Sequence, residues 1–109
     1  MFASDIEVVG EAASGTEAVA LIQQLKPDVV LADISMPPPD GIGLATELQT
    51  LAPNVRVLVL TMHEDVELAR EALRAGAAGF VIKRASPADV FEAIRVAARG
   101  ETYLSSGLR

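Results

Sequence analysis

The chain has 109 residues, half of them hydrophobic, with 15 acidic side chains against 9 basic ones and a net charge of −6. That is one small domain with enough apolar material for a packed core, and an acidic balance without a basic cluster argues against direct nucleic-acid binding. Cysteine is absent, which removes disulfide, thiolate and cysteine–metal chemistry; no apolar run reaches transmembrane length or follows a charged leader region, so the expectation is a cytoplasmic protein with no membrane partner.

Strand-like and helix-like stretches alternate along the chain. Ile6 to Val9 reads as a short strand. Ser14 with Glu17 forms a capping-box pattern that opens a helix carrying Ala18, Leu21, Ile22 and Leu25 on one face, stopped near Lys26-Pro27. Asp28 to Ala32 is a second strand, and Pro37-Pro38-Pro39 is loop because proline breaks a helix interior. Asp40-Gly41 starts a helix carrying Ile42, Leu44, Ala45, Leu48 and Leu51, ending near Pro53. Arg56 to Leu60 is a third strand. Thr61 with Glu64 is another capping pattern, leading into a helix with Val66, Leu68, Ala69, Ala72 and Leu73. Phe80 to Ile82 is a fourth strand. Ser86-Pro87 with Asp89 opens a last helix, a cap residue followed by proline in the first turn, which Gly100 closes. Its polar stripe of Asp89, Glu92, Arg95 and Arg99 is a candidate partner contact. Residues 101–109 read as a polar linker or tail after a domain of residues 1–100. Strands alternating with helices imply parallel pairing with right-handed crossovers, an α/β doubly wound sheet.

Three polar residues sit where three apolar strands end: Asp33, Thr61 and Lys83. Runs such as Val29-Val30-Leu31-Ala32 and Val57-Leu58-Val59-Leu60 suit strands buried on both faces of a parallel sheet. Ligands of open α/β sheets bind at the carboxyl ends of strands, so a carboxylate, a hydroxyl and an ammonium there make a candidate phosphate-chemistry site. Each has a plainer reading. Asp33 can cap the turn after its strand, Thr61 can serve as an N-cap, Lys83 can be a solvated strand-end lysine, and Phe80 can be a partly buried core aromatic. His63 is the only histidine and reads as a surface residue. A small phosphatase or other α/β enzyme would need a Gly-rich phosphate loop, a nucleophilic cysteine or a Ser-His arrangement, and none is present.

The segment Asp33-Ile34-Ser35-Met36-Pro37-Pro38-Pro39-Asp40-Gly41 resembles the phosphoacceptor segment of bacterial response-regulator receiver domains, which commonly reads D-x-x-M-P-x-x-D-G. Thr61 follows Asp33 by 28 residues and Lys83 follows Thr61 by 22, the family spacing, with Phe80 at the aromatic switch position. The wording of the chain is similar to receivers that precede a LuxR-type (NarL/FixJ) helix-turn-helix output domain, and Glu101-Thr102-Tyr103-Leu104-Ser105 looks like the start of their linker. The resemblance covers essentially the whole chain. It implies a flavodoxin-like, CheY-like sheet of strand order 2-1-3-4-5. It also implies a non-enzymatic domain that takes a phosphoryl group on Asp33 from a sensor histidine kinase. Thr61 would be the switch hydroxyl, Lys83 the phosphate-pairing cation and Phe80 the switch aromatic. Mg²⁺ would be held by Asp33 and the Ser35 backbone carbonyl, together with an acidic pair after a strand upstream of Ile6.

That strand, its acidic pair and most of the first helix are not found after Met1, and Glu64-Asp65 does not replace the pair. The expectation is therefore an N-terminally incomplete receiver whose Mg²⁺ is weakly held or absent, with no output domain in the chain and DNA reached only through one. Loss of four or five buried side chains, at roughly 1.5–3 kcal/mol each, rivals a domain's net stability of about 5–15 kcal/mol. Either Ile6–Val9 shifts to pair directly with the neighbouring strand, or the open edges pair with another chain; the expectation is the second, a homodimer that supplies or replaces the strand across its interface. The alternative is a phosphorylation-independent interaction module built on the receiver fold.

Overall fold

The computed structural model describes residues 5–35, 40–62, 66–84 and 86–105. The caps set where the helices begin. Ser14 accepts a hydrogen bond from the Glu17 N–H at 3.2 Å and opens α1 (Gly15–Leu25), and Lys26 stops it in the left-handed conformation. Asp40 accepts from the Gly43 N–H at 2.9 Å and opens α2 (Gly41–Leu51). Ser86 accepts from the Asp89 N–H at 3.2 Å and opens α4 (Pro87–Ala98), with Pro87 in its first turn. Between the last two lies α3 (Val66–Arg74). Each short polar side chain satisfies an N–H that the helix itself leaves unpaired. Glu64 and the rest of the Thr61 capping pattern lie outside the described residues, as do Met36 to Pro39, His63 and Asp65.

Four strands form one parallel sheet in the order β1 (Val29–Asp33), β2 (Arg56–Thr61), β3 (Gly79–Ile82), β4 (Tyr103–Leu104). Side chains alternate between the two faces of a strand. On one face Ala32, Val57, Val59, Phe80 and Ile82 pack with Ala18 and Ile22 of α1, Leu44 and Leu48 of α2, and Ala69 and Ala72 of α3. On the other, Leu58 and Val81 pack with Ala93 and Ala97 of α4. Helices on both faces of a parallel sheet are the α/β layering expected from the sequence.

Two elements differ from the sequence reading. Ile6 to Val9 forms no strand. It lies across a cleft of about 740 Å³ from β1, and its backbone therefore meets no ladder; Val8 is 78% exposed. The five-strand order with Ile6–Val9 at one edge is accordingly not what the described residues form: β1 is the edge strand. Conversely, Tyr103 and Leu104 are a strand rather than a polar tail. They align with Gly79 and Phe80 of β3, and the Tyr103 N–H donates to the Ala78 carbonyl at 3.0 Å. Gly79 permits this approach, because a Cβ there would lie 2.4 Å from the Tyr103 carbonyl oxygen. In the expected contact stripe of α4, Arg95 forks the Asp5 carboxylate at 2.8 and 3.1 Å, and Arg99 meets Glu101 at 3.3 Å.

Candidate functional site

The carboxyl ends of β1, β2 and β3 lie side by side because the parallel register aligns Asp33 with Leu60 and Thr61 with Ile82. Backbone hydrogen bonds tie the ends together: the Ile34 N–H donates to the Leu60 carbonyl at 2.9 Å, and the Lys83 N–H to the Thr61 carbonyl at 2.6 Å. The start of α2 presses on the first of them. A Cβ at Gly41 would stand 2.9 Å from the Ala32 carbonyl oxygen and 3.3 Å from that of Asp33. Glycine is what the chain needs there for the helix to seat against the strand end.

The structure brings Asp33 and Lys83 into contact across 50 positions of sequence. The Lys83 ammonium donates to Asp33 Oδ2, and about a third of each side chain remains exposed. The other oxygen, Asp33 Oδ1, accepts from the Ser35 N–H at 2.8 Å and from the Ser35 hydroxyl at 2.7 Å. Burial pulls the carboxyl up and is the largest single influence. Hydrogen bonds from Lys83 and from the Ser35 hydroxyl and amide, with the Lys83 charge, together outweigh it and hold the group at about 2, against an ordinary 3.8. Asp33 is thus an ionised, partly desolvated carboxylate at neutral pH.

Thr61 is the last residue of β2 and fully buried. Phe80 is fully buried as well, packed in the core beneath the face that carries α1 to α3. Sequence reasoning gave Phe80 only partial burial; strands on both sides of β3 and the helices above it close over the ring. The family resemblance points to Ser35 only through its backbone carbonyl. Its amide and hydroxyl are what hold Asp33, an aspartate-turn pattern that the Asp-x-Ser spacing carries. Ser105 reads in the sequence only as part of a linker-like stretch, with no sign of its place at the strand end. Its N–H donates to the Phe80 carbonyl at 3.2 Å, and its buried hydroxyl accepts from the Ile82 N–H at 3.0 Å, fixing the strand end that positions Lys83.

The chain matches the family model of the response regulator receiver domain over residues 1–95. It belongs to the response-regulator receiver family. Relatives of this receiver include the response regulator protein VraR of Staphylococcus aureus, 45% identical over 100 residues, which cover 91% of this chain and 47% of that protein. The uncharacterized transcriptional regulatory protein YxjL of Bacillus subtilis is 42% identical over 98 residues, covering 90% of this chain and 45% of that one. The receiver spans less than half the length of each. Among solved structures, a LuxR-family two-component response regulator from Aurantimonas superposes with a TM-score of 0.87 at 35% identity, over 93% of this chain and 72% of that one. The fold and the family expected from the sequence are therefore those found. Receivers are domains of two-component systems and generally act in signalling rather than as enzymes.

Receivers in general bind Mg²⁺ at the phosphorylation site. The described residues of this one do not fit a dedicated cation site. No three histidine, cysteine or acidic side chains gather among them. The single carboxylate at the strand ends has both oxygens engaged by hydrogen-bond donors, and a hard divalent cation needs several oxygen ligands. No helix among the described residues is long and apolar enough to cross a membrane.

Proposed function

We propose that this receiver accepts a phosphoryl group on Asp33 from a sensor histidine kinase in the cytoplasm. The modified aspartate then switches a helix face that governs dimerisation or a DNA-binding output domain. The observation that carries this reading is the ionised Asp33 carboxylate held between Lys83 and Ser35 at the end of β1. An Asp33 oxygen attacks phosphorus, the bond from phosphorus to the donor breaks, and an acyl phosphate forms. The attacking oxygen gives up a hydrogen bond as it does so. Lys83 then pairs with a phosphoryl oxygen, which neutralises charge where it accumulates. The added dianionic charge is the signal. Thr61, at the neighbouring strand end, supplies the hydroxyl that bonds a further phosphoryl oxygen, and the shift of its loop repositions Phe80 within the core. Switches of this kind bias a two-state element by a local change of charge.

Treatment with acetyl phosphate tests the acceptor. The expected product carries one hydroxylamine-labile phosphoryl group, mapped by mass spectrometry to Asp33 and lost in Asp33→Asn. Labelling that persists in Asp33→Asn, or that maps to another residue, overturns the assignment.

A further inference from the structure

We propose that Ser105 is a positioning residue for phosphoryl transfer: through the Ile82 N–H it holds Lys83 against Asp33, and so makes the segment after α4 part of the site. The proposal rests on the reading of Asp33 as the phosphoacceptor. It adds a residue that lies outside the stretch 1–95 matching the receiver family.

Lys83 stands where regular structure stops. β3 ends at Ile82, and Lys83 opens the turn that follows. The direction in which its side chain leaves the sheet is therefore set by the last residues held in the strand. Hydrogen bonds hold them from opposite sides. Toward β2, the Lys83 N–H donates to the Thr61 carbonyl at 2.6 Å. Toward β4, the Ile82 N–H donates to the Ser105 hydroxyl at 3.0 Å.

The second bond differs in kind from the first. β4 ends at Leu104, so the last N–H of β3 is met by a side chain rather than by strand backbone. Ser105 is buried, and its own N–H donates to the Phe80 carbonyl at 3.2 Å. One residue thus bonds β3 at Phe80 and at Ile82. Alanine at position 105 keeps the first bond and strips the buried Ile82 N–H of its acceptor. A buried donor left without a partner costs more than the bond itself contributes. The strand end then shifts toward water or another acceptor, and Lys83 is carried off the carboxylate.

The ion pair cannot supply that geometry by itself. About a third of each partner is exposed, and water competes with an exposed pair. Its alignment comes from the backbone beneath, and phosphoryl transfer depends on alignment more than on any covalent help from the protein. The segment after α4 is tied down along the same line. Arg56 Nε donates to the Ala97 carbonyl at 3.2 Å, and the Tyr103 N–H to the Ala78 carbonyl at 3.0 Å. Among the described residues Ser105 is the last of these anchors, and it sits one residue from the cation. A displacement of this segment therefore reaches the site through a single hydroxyl.

The test takes two readouts on the full chain. The first needs no phosphoryl group. Lys26 and Lys83 are the chain's two lysines, and Lys26 is exposed, so acetylation by a water-soluble reagent, mapped by mass spectrometry, reads Lys83 against an internal reference. Ser105→Ala is expected to raise acetylation of Lys83 relative to Lys26 by about threefold to tenfold, the equivalent of one net hydrogen bond. Ser105→Thr keeps the hydroxyl and should leave the ratio unchanged. Ser105→Cys keeps the volume with a poor acceptor and should raise the ratio in the same direction, which decides the matter where the alanine variant fails to fold. The second readout is the initial rate of acetyl phosphate labelling at Asp33. Ser105→Ala should slow it by a similar factor in the otherwise unaltered chain, and not at all in a Lys83→Ala background, where nothing is left to position. An unchanged lysine ratio in the alanine and cysteine variants would overturn the proposal. So would equal slowing with and without Lys83, the mark of a serine that only supports the fold. A chain that takes no label at Asp33 overturns the acceptor reading instead, and the lysine ratio still shows whether Ser105 holds Lys83.

Discussion

At the scale of single residues, the site turns on a competition at Asp33. Burial favours its neutral form, and Lys83 with Ser35 favours the charged one; the latter win and hold it at about 2. A carboxyl held below its unfolded value contributes stability that is present above that value, near 3.8, and is lost as pH falls toward 2. The contribution is modest, since about a third of each partner is exposed and water screens the pair. Lys83→Ala removes the first of the opposing donors but leaves the burial. The Asp33 titration followed by carbon NMR should then move upward from its depressed position, and Ser35→Ala in addition should move it further. A titration unchanged in the double variant would show that neither residue holds the carboxylate. The same Lys83→Ala variant should accept phosphoryl groups more slowly, because charge on the equatorial oxygens loses its nearest cation.

Among elements, β4 is the one whose role is most open to measurement. It protects the outer edge of β3, and Ser105 beyond it pins the strand end before Lys83. Gly79→Ala drives a methyl to 2.4 Å from the Tyr103 carbonyl oxygen and 2.8 Å from a Leu58 methyl. The expected cost is about 1–3 kcal/mol in urea unfolding, with faster hydrogen exchange at Ile82 and Ser105. A variant of unchanged stability and exchange would show that the close approach does not hold β4. Much of the architecture was legible in the sequence because its signals are local. Ser14, Asp40 and Ser86 announce helix starts through side chains that reach only three residues ahead. The β-branched runs announce strands buried on both faces. What escaped was pairing, which is not local. Ile6 to Val9 has strand composition but no partner across the cleft, while Tyr103-Leu104 has a short, polar-flanked sequence yet meets the free edge of β3. The strand-end positions of Asp33, Thr61 and Lys83 followed from the apolar runs that precede them. The grip of Ser35 on Asp33 depends on a turn and a rotamer, and the full burial of Phe80 on its neighbours in the sheet, so neither was visible in the pattern of residues.

At the scale of the whole molecule, the sheet is covered unevenly among the described residues, by three helices on one face and by α4 on the other. The Asp33 site lies at the carboxyl end of β1, on the strand whose outer edge lines the cleft. The central claim is that the ends of β1, β2 and β3 act as one phosphoryl-sensitive unit rather than as three separate capped termini. Amide NMR spectra of the chain before and after acetyl phosphate test this most directly. The account predicts that Asp33, Thr61, Phe80 and Lys83 shift together to a second set of resonances, and that Asp33→Asn shows no such set. Shifts confined to the immediate neighbours of Asp33, with Thr61 and Phe80 unmoved, would contradict it.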